Sequence, residues 1–145
     1  MIRNFLVGLV FIFMSSSAIA DDFKSEDELR PFLDGFMKKI FSDDMSGAFK
    51  LVRPYLAITE PDFQLAELNT KNQKAQYNNK YGFTLDFEFI EYKKVGSSLI
   101  RVVYIEKTEK QALPWIFYFY KPSTAWVLSG FKFGDQLLSG ILDGK

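Results

Sequence analysis

The sequence predicts an α+β domain in which N-terminal helices pack on a curved, four-stranded antiparallel sheet. Two observations predict it. The apolar period changes once along the chain, from 3.6 residues before Gly82 to 2 residues after it. The connections between the later apolar segments are all short, which suits an antiparallel meander and not parallel crossovers. A third observation, an aromatic content of 17% over 145 residues, supplies large side chains for one core.

Taken in order, the first segment is an address. Arg3 gives a positive start, Phe5 to Met14 is uncharged and apolar, and Ala18-Ile19-Ala20 offers a small-x-small cleavage site. These are the parts of an export signal. A spanning helix needs about 20 apolar residues, and this run is too short. Cleavage is expected after Ala20, leaving residues 21–145 as a single domain in the periplasm or the secreted fraction. It removes Arg3 alone among the charged residues, for a formal net charge of −1. No later segment is apolar enough to span a bilayer, so no membrane span is expected in the mature chain. With no Cys in the chain, the core alone must hold it together.

Ser25-Glu26-Asp27-Glu28 has capping-box spacing. Leu29, Phe32, Leu33, Phe36, Met37, Ile40 and Phe41 follow at helical spacing, so 25–41 reads as the first helix. Asp43 and Asp44 stop it and cap a second, shorter helix through Val52, which ends before Pro54. Residues 55–58 read as a brief extended piece. Thr59-Glu60-Pro61 opens a third, weakly amphipathic helix that closes at Gly82. For its polar stretch 69–80 the alternative is a loop.

Phe83, Leu85, Phe87 and Phe89 then alternate with polar residues as a half-buried strand. Val95-Gly96-Ser97 reads as a hairpin turn. Residues 99–108, 115–121 and 125–133 are the next three strands, and Leu137, Leu138, Ile141 and Leu142 form a last helical turn or two. With Gly96 central in the loop, Phe89 faces Val103, Phe87 faces Ile105 and Glu91 faces Arg101. Ile90, Tyr92, Ile100, Val102 and Tyr104 then fall on the opposite face.

The third strand gives Trp115, Phe117 and Phe119 to one face and Ile116, Tyr118 and Tyr120 to the other. The Phe-rich face is assigned to the helices, because Phe has no polar group to satisfy. The other face is then not polar, as the solvent side of such a sheet ordinarily is. Trp126 and Leu128 join it for one choice of the last turn. A second subunit, a partner, a ligand or the C-terminal tail must cover so much apolar surface. Tyr92, Arg101, Tyr104, Tyr118, Tyr120 and Trp126 are therefore the ligand or interface candidates.

Composition removes several chemistries. With neither His nor Cys there is no Ser-His or Cys-His machinery and no His or thiolate zinc site. Eighteen basic residues balance 18 acidic ones, which argues against a nucleic-acid partner. No catalytic residue, metal ligand or cofactor motif is assigned. Asp86 and Glu88 share a strand face but read as solvated. Ser129 has no base to activate it.

Three helices followed by a four-stranded meander is the element order of the nuclear transport factor two-like, or α+β cone, superfamily. The chain resembles small exported members of that group. The resemblance rests on the capped helix at 25–41, Gly82, and the segments Trp115-Ile-Phe-Tyr-Phe-Tyr-Lys-Pro122 and Trp126-Val-Leu-Ser-Gly-Phe-Lys-Phe133. It implies a curved sheet wrapped on helices, a conical pocket, and dimers formed through the sheet. The expected function is binding of a small apolar ligand or an exported protein partner, as a homodimer. The alternative is an isomerase or hydrolase with a Tyr/carboxylate pocket.

Overall fold

The computed structural model describes residues 20–145. The export signal read at 1–20 lies outside them, Ala20 excepted. Helices precede a four-stranded antiparallel sheet, so the α+β class and its element order stand.

Helix α1 (Leu29–Phe41) follows a 3-10 turn at Glu26–Glu28. The predicted box does not form: Ser25 makes no cap, and the Glu28 carboxylate accepts the Lys24 N–H at 2.9 Å. The apolar stripe does what its spacing predicts, burying Leu29, Leu33, Phe36, Met37 and Ile40. In α2 (Met45–Val52) the Asp44 carboxylate accepts from Gly47 N at 2.8 Å, the expected cap. A 3-10 turn (Arg53–Tyr55) takes the first residue of the extended piece expected at 55–58, and Leu56 after it is extended.

Helix α3 (Glu60–Tyr81) is continuous, so 69–80 is helix and not loop. Thr59 caps it, and Gly82 closes it at φ +88°, where a Cβ would run into the Glu109 side chain.

Strands β1 (Thr84–Val95), β2 (Leu99–Thr108), β3 (Ala112–Tyr120) and β4 (Val127–Phe133) pair in chain order. The sheet is open, with β1 and β4 at its edges. A 3-10 turn (Asp135–Leu137) and a short α4 (Leu138–Leu142) end the chain, and α4 lies against β3.

The register differs from the expectation by two residues beside the turn and by one beyond a bulge. The hairpin loop is Gly96-Ser97-Ser98, so Val95 pairs with Leu99 and Tyr92 with Val102. After a bulge at Ile90, Phe89 pairs with Tyr104 rather than Val103, and Phe87 with Glu106 rather than Ile105. The two-residue shift beside the turn keeps every side, while the bulge slips the pairing by one and turns Phe87 and Phe89 to the side of Tyr92 and Tyr104. Ile100, Val102 and Tyr104 therefore point at the helices with them, as do Trp126 and Leu128. A second register shift, around Leu85, leaves Phe83 and Leu85 exposed although both had been read into the half-buried face.

The space between helices and sheet is filled by rings. Phe36 meets Trp115 and Phe117 edge-on at 5.4 and 5.3 Å, and Trp115 stacks on Phe133 at 4.1 Å. Phe49 packs edge-on against Phe63 and Phe131. Such pairs add about 0.5–1.5 kcal/mol each beyond area burial. Among the described residues no helix is long and apolar enough to cross a membrane.

Candidate functional site

A buried cluster of polar groups and an uncovered apolar hollow lie on opposite faces of the sheet. On the inner face, Glu106 of β2 is fully buried and pairs with Lys74 of α3, itself buried. Thr84 donates to the same carboxylate, and Trp115 Nε1 donates to its other oxygen at 3.1 Å. Lys74 Nζ also reaches Asn78 Oδ1 at 2.8 Å and Thr84 Oγ1 at 2.9 Å.

The three ammonium protons thus have three acceptors, and the indole and hydroxyl protons are both used. Among the described residues no buried side-chain polar atom lacks a partner. The ammonium, hydroxyl and indole donors facing Glu106 are all committed, so the network acts as a clasp joining α3 to β1, β2 and β3.

Both residues were missed in the sequence, although each had a signal. Lys74 lies on the helical stripe of Phe63, Thr70, Tyr77 and Tyr81, and Glu106 shares the parity of Ile100, Val102 and Tyr104.

Three tyrosine–carboxylate pairs strap the elements together in the same way. Tyr104 donates to Asp34 of α1 at 2.5 Å, Tyr92 to Glu26 at 2.8 Å, and Tyr81 to Asp135 at 2.6 Å. Burial first, and the carboxylate beside it second, push the Tyr104 and Tyr92 phenols above their ordinary range. The Lys94 and Tyr92 hydrogen bonds lower Glu26, and the Tyr81 hydroxyl lowers Asp135. Beside the first strap, Arg30 stacks over the Phe89 ring, 3.6 Å from its centroid.

The six candidates therefore separate. Tyr92, Tyr104 and Trp126 face the helices, Tyr104 and Trp126 fully within the core. Their assignment to the outer face is corrected by the register. Arg101, Tyr118 and Tyr120 remain outside, as does Ile116.

The outer face is also partly roofed. Val103 and Ile116 are 0% and 5% exposed there, because the tail with α4 lies across β3. The tail's end is held at Arg101, whose Nη2 donates to Lys145 O at 3.1 Å and whose Nη1 meets Glu91 at 2.9 Å. The expected Glu91–Arg101 contact thus forms diagonally, since Glu91 pairs with Val103.

Beyond that roof lies a hollow of about 300 Å³, lined by Val95, Leu99, Arg101, Tyr118 and Ser129 with the edges of Ile100 and Phe119. Leu99 and Tyr120 are 48% and 43% exposed at this end of the sheet. Leu142, three residues before Lys145, is 76% exposed.

Asp86 and Glu88 are both solvated. Glu88 pairs with Lys107 at 3.1 Å, and the Asp86 carboxylate accepts the Phe87 N–H. Among the described residues no group of three acidic side chains is placed to hold a metal ion.

Fold and site together define an α+β domain with an aromatic-filled interior and an apolar hollow on the outer face of its sheet. Comparison with protein-family models, with curated proteins and with solved structures gives no match.

Proposed function

We propose that this chain is an exported interaction domain that pairs with a second copy of itself through the outer face of its sheet. The observation that carries the reading is the hollow lined by Leu99 and Tyr118, together with the exposed Leu142 on the tail whose end is held at Arg101 of the same lining. A hollow and a knob on one surface are what a two-fold, self-complementary contact uses.

Charge supports the same reading. Glu91–Arg101 and Glu88–Lys107 are paired on this face, so these four charges are matched within each copy. The order of helices and strands supports, within this proposal, a likeness to the nuclear transport factor two-like proteins. A second reading rests on the size and lining of the same hollow. At about 300 Å³, it is at the small end of ligand pockets and takes one small apolar molecule.

Sedimentation velocity at tens of micromolar tests the proposal. The wild-type chain sediments as a dimer, and Leu99→Asp and Tyr120→Asp sediment as monomers with unchanged circular dichroism. A wild-type monomer at that concentration overturns it and leaves the ligand reading, which a dye-displacement titration with small apolar probes then tests.

A further inference from the structure

We propose that the free edge of β4, with the groove beside it, docks an extended segment of another polypeptide, which adds to the sheet as a fifth strand. The argument begins with the two edges. On β1, Asp86, Glu88, Glu91, Lys93 and Lys94 and two register shifts supply the charges and bulges that keep an edge from pairing. On β4, Lys132 is the single charged residue, and one register shift falls near Ser129. The β4 edge is therefore much less defended.

That edge already pairs at one end. Phe23 and Trp126 exchange two backbone hydrogen bonds of 2.8 Å in antiparallel sense, so the start of β4 accepts an added strand. Asp21 N then bonds Pro54 O at 2.7 Å and carries the chain away from β4. At the far end, Phe133 O accepts from Gln73 Nε2 at 3.3 Å. Between these points, along 127–132, no hydrogen bond from another element reaches the outer side among the described residues.

Beside the same stretch runs a groove of about 310 Å³, walled by Leu56, Ile58, Phe63, Ala66 and Phe131. An added strand turns alternate side chains into such a groove while its backbone pairs with the edge. The occupant this geometry fits is an extended segment of about six residues with uncharged, apolar side chains at every second position. Among the described residues no charged one lines the groove, and Arg53, which stacks on the wall residue Phe63, is engaged by Glu60, so the site asks for no acidic partner.

A labelled peptide of alternating Val and Thr with lysines at its ends tests this by fluorescence anisotropy. Saturable binding is expected. N-methylation of the peptide amides that face β4 weakens it by about tenfold or more, while N-methylation of the alternate set leaves it nearly unchanged. Ala66→Arg, which fills the groove from the exposed side of α3, abolishes binding with unchanged circular dichroism. Amide exchange along 127–132 slows when peptide is added.

No saturable binding, or equal loss from both methylated sets, overturns the proposal. So does protection of 127–132 that rises with protein concentration without peptide, since a second copy then holds the edge.

Discussion

The two faces of one sheet carry the same kind of ion pair in opposite surroundings. Glu106 and Lys74, on the helix side, have side chains 0% and 7% exposed, with every donor spoken for. Glu91 and Arg101, on the outer side, are 43% and 19% exposed and hold only each other and the chain's end. The Coulomb attraction is of one type, but water screens the outer pair and not the inner one. Partnership therefore matters in different ways. Inside, each group depends on the other to remain charged without water. Outside, either group falls back on solvent.

The largest effect expected from this difference is at Glu106. Glu106→Ala strands the Lys74 ammonium and the Trp115 indole N–H in the core, and it lowers stability by about 3–5 kcal/mol. Urea unfolding followed by tryptophan fluorescence measures the loss. A double variant, Lys74→Met with Glu106→Leu, removes both charges and recovers most of it, leaving the cost of the unpaired indole and hydroxyl, about 1–3 kcal/mol. A double variant no more stable than Glu106→Ala breaks the comparison, because stranded charge is then not the cause.

Next in size is Tyr104. Tyr104→Phe deletes a hydrogen bond to an ionised carboxylate, worth about 1.5–3 kcal/mol, while Asp34 keeps partial solvent access. It also has a pH signature. Burial raises the phenol, so the folded state favours its neutral form. That contribution is complete below the unfolded value of about 10 and fades as pH rises through the higher folded value. The urea midpoint of the wild type therefore falls above about pH 10, and the Tyr104→Phe curve is flatter there. Tyr92, raised by the same causes, keeps part of the slope in that variant. Curves of equal slope refute the assignment to Tyr104.

The uneven legibility of these faces in the sequence has a physical cause. On β3 the parity is plain, since Trp115, Phe117 and Phe119 alternate with Ile116, Tyr118 and Tyr120, and only one set is free of hydroxyls. On β2 both parities are apolar: Ile100, Val102 and Tyr104 compete with Val103 and Ile105. The face then turned on the bulge at Ile90, because moving the loop from Val95-Gly96-Ser97 to Gly96-Ser97-Ser98 shifts the pairing by two residues and keeps each residue on its side. The bulge sets Phe87 and Phe89 on the side of Tyr104 and Glu106, and a carboxylate was not expected among inward positions. The helices were easier to read, since the α1 stripe repeats over several turns. The bulges at Leu85 and Ile90 have no comparable pattern, as neither carries the Gly that marks many bulges.

The smallest expected effect sharpens the comparison from the outer side. Arg101→Ala removes the Glu91 contact and the hold on Lys145 O, yet it costs less than about 1 kcal/mol, because Glu91 returns to water. Its consequence lies elsewhere. Without that hold the segment after α4 loosens, and amide exchange rises at residues 143–145 while the β2 and β3 amides keep their protection. Salt separates the two faces further. Moderate NaCl screens the outer pair and narrows the gap between wild type and Arg101→Ala, while the deficit of Glu106→Ala persists, since ions do not reach a buried pair. If Arg101→Ala instead destabilises the chain as much as Glu106→Ala does, the tail carries the fold, and the outer face is part of the core rather than a surface for partners.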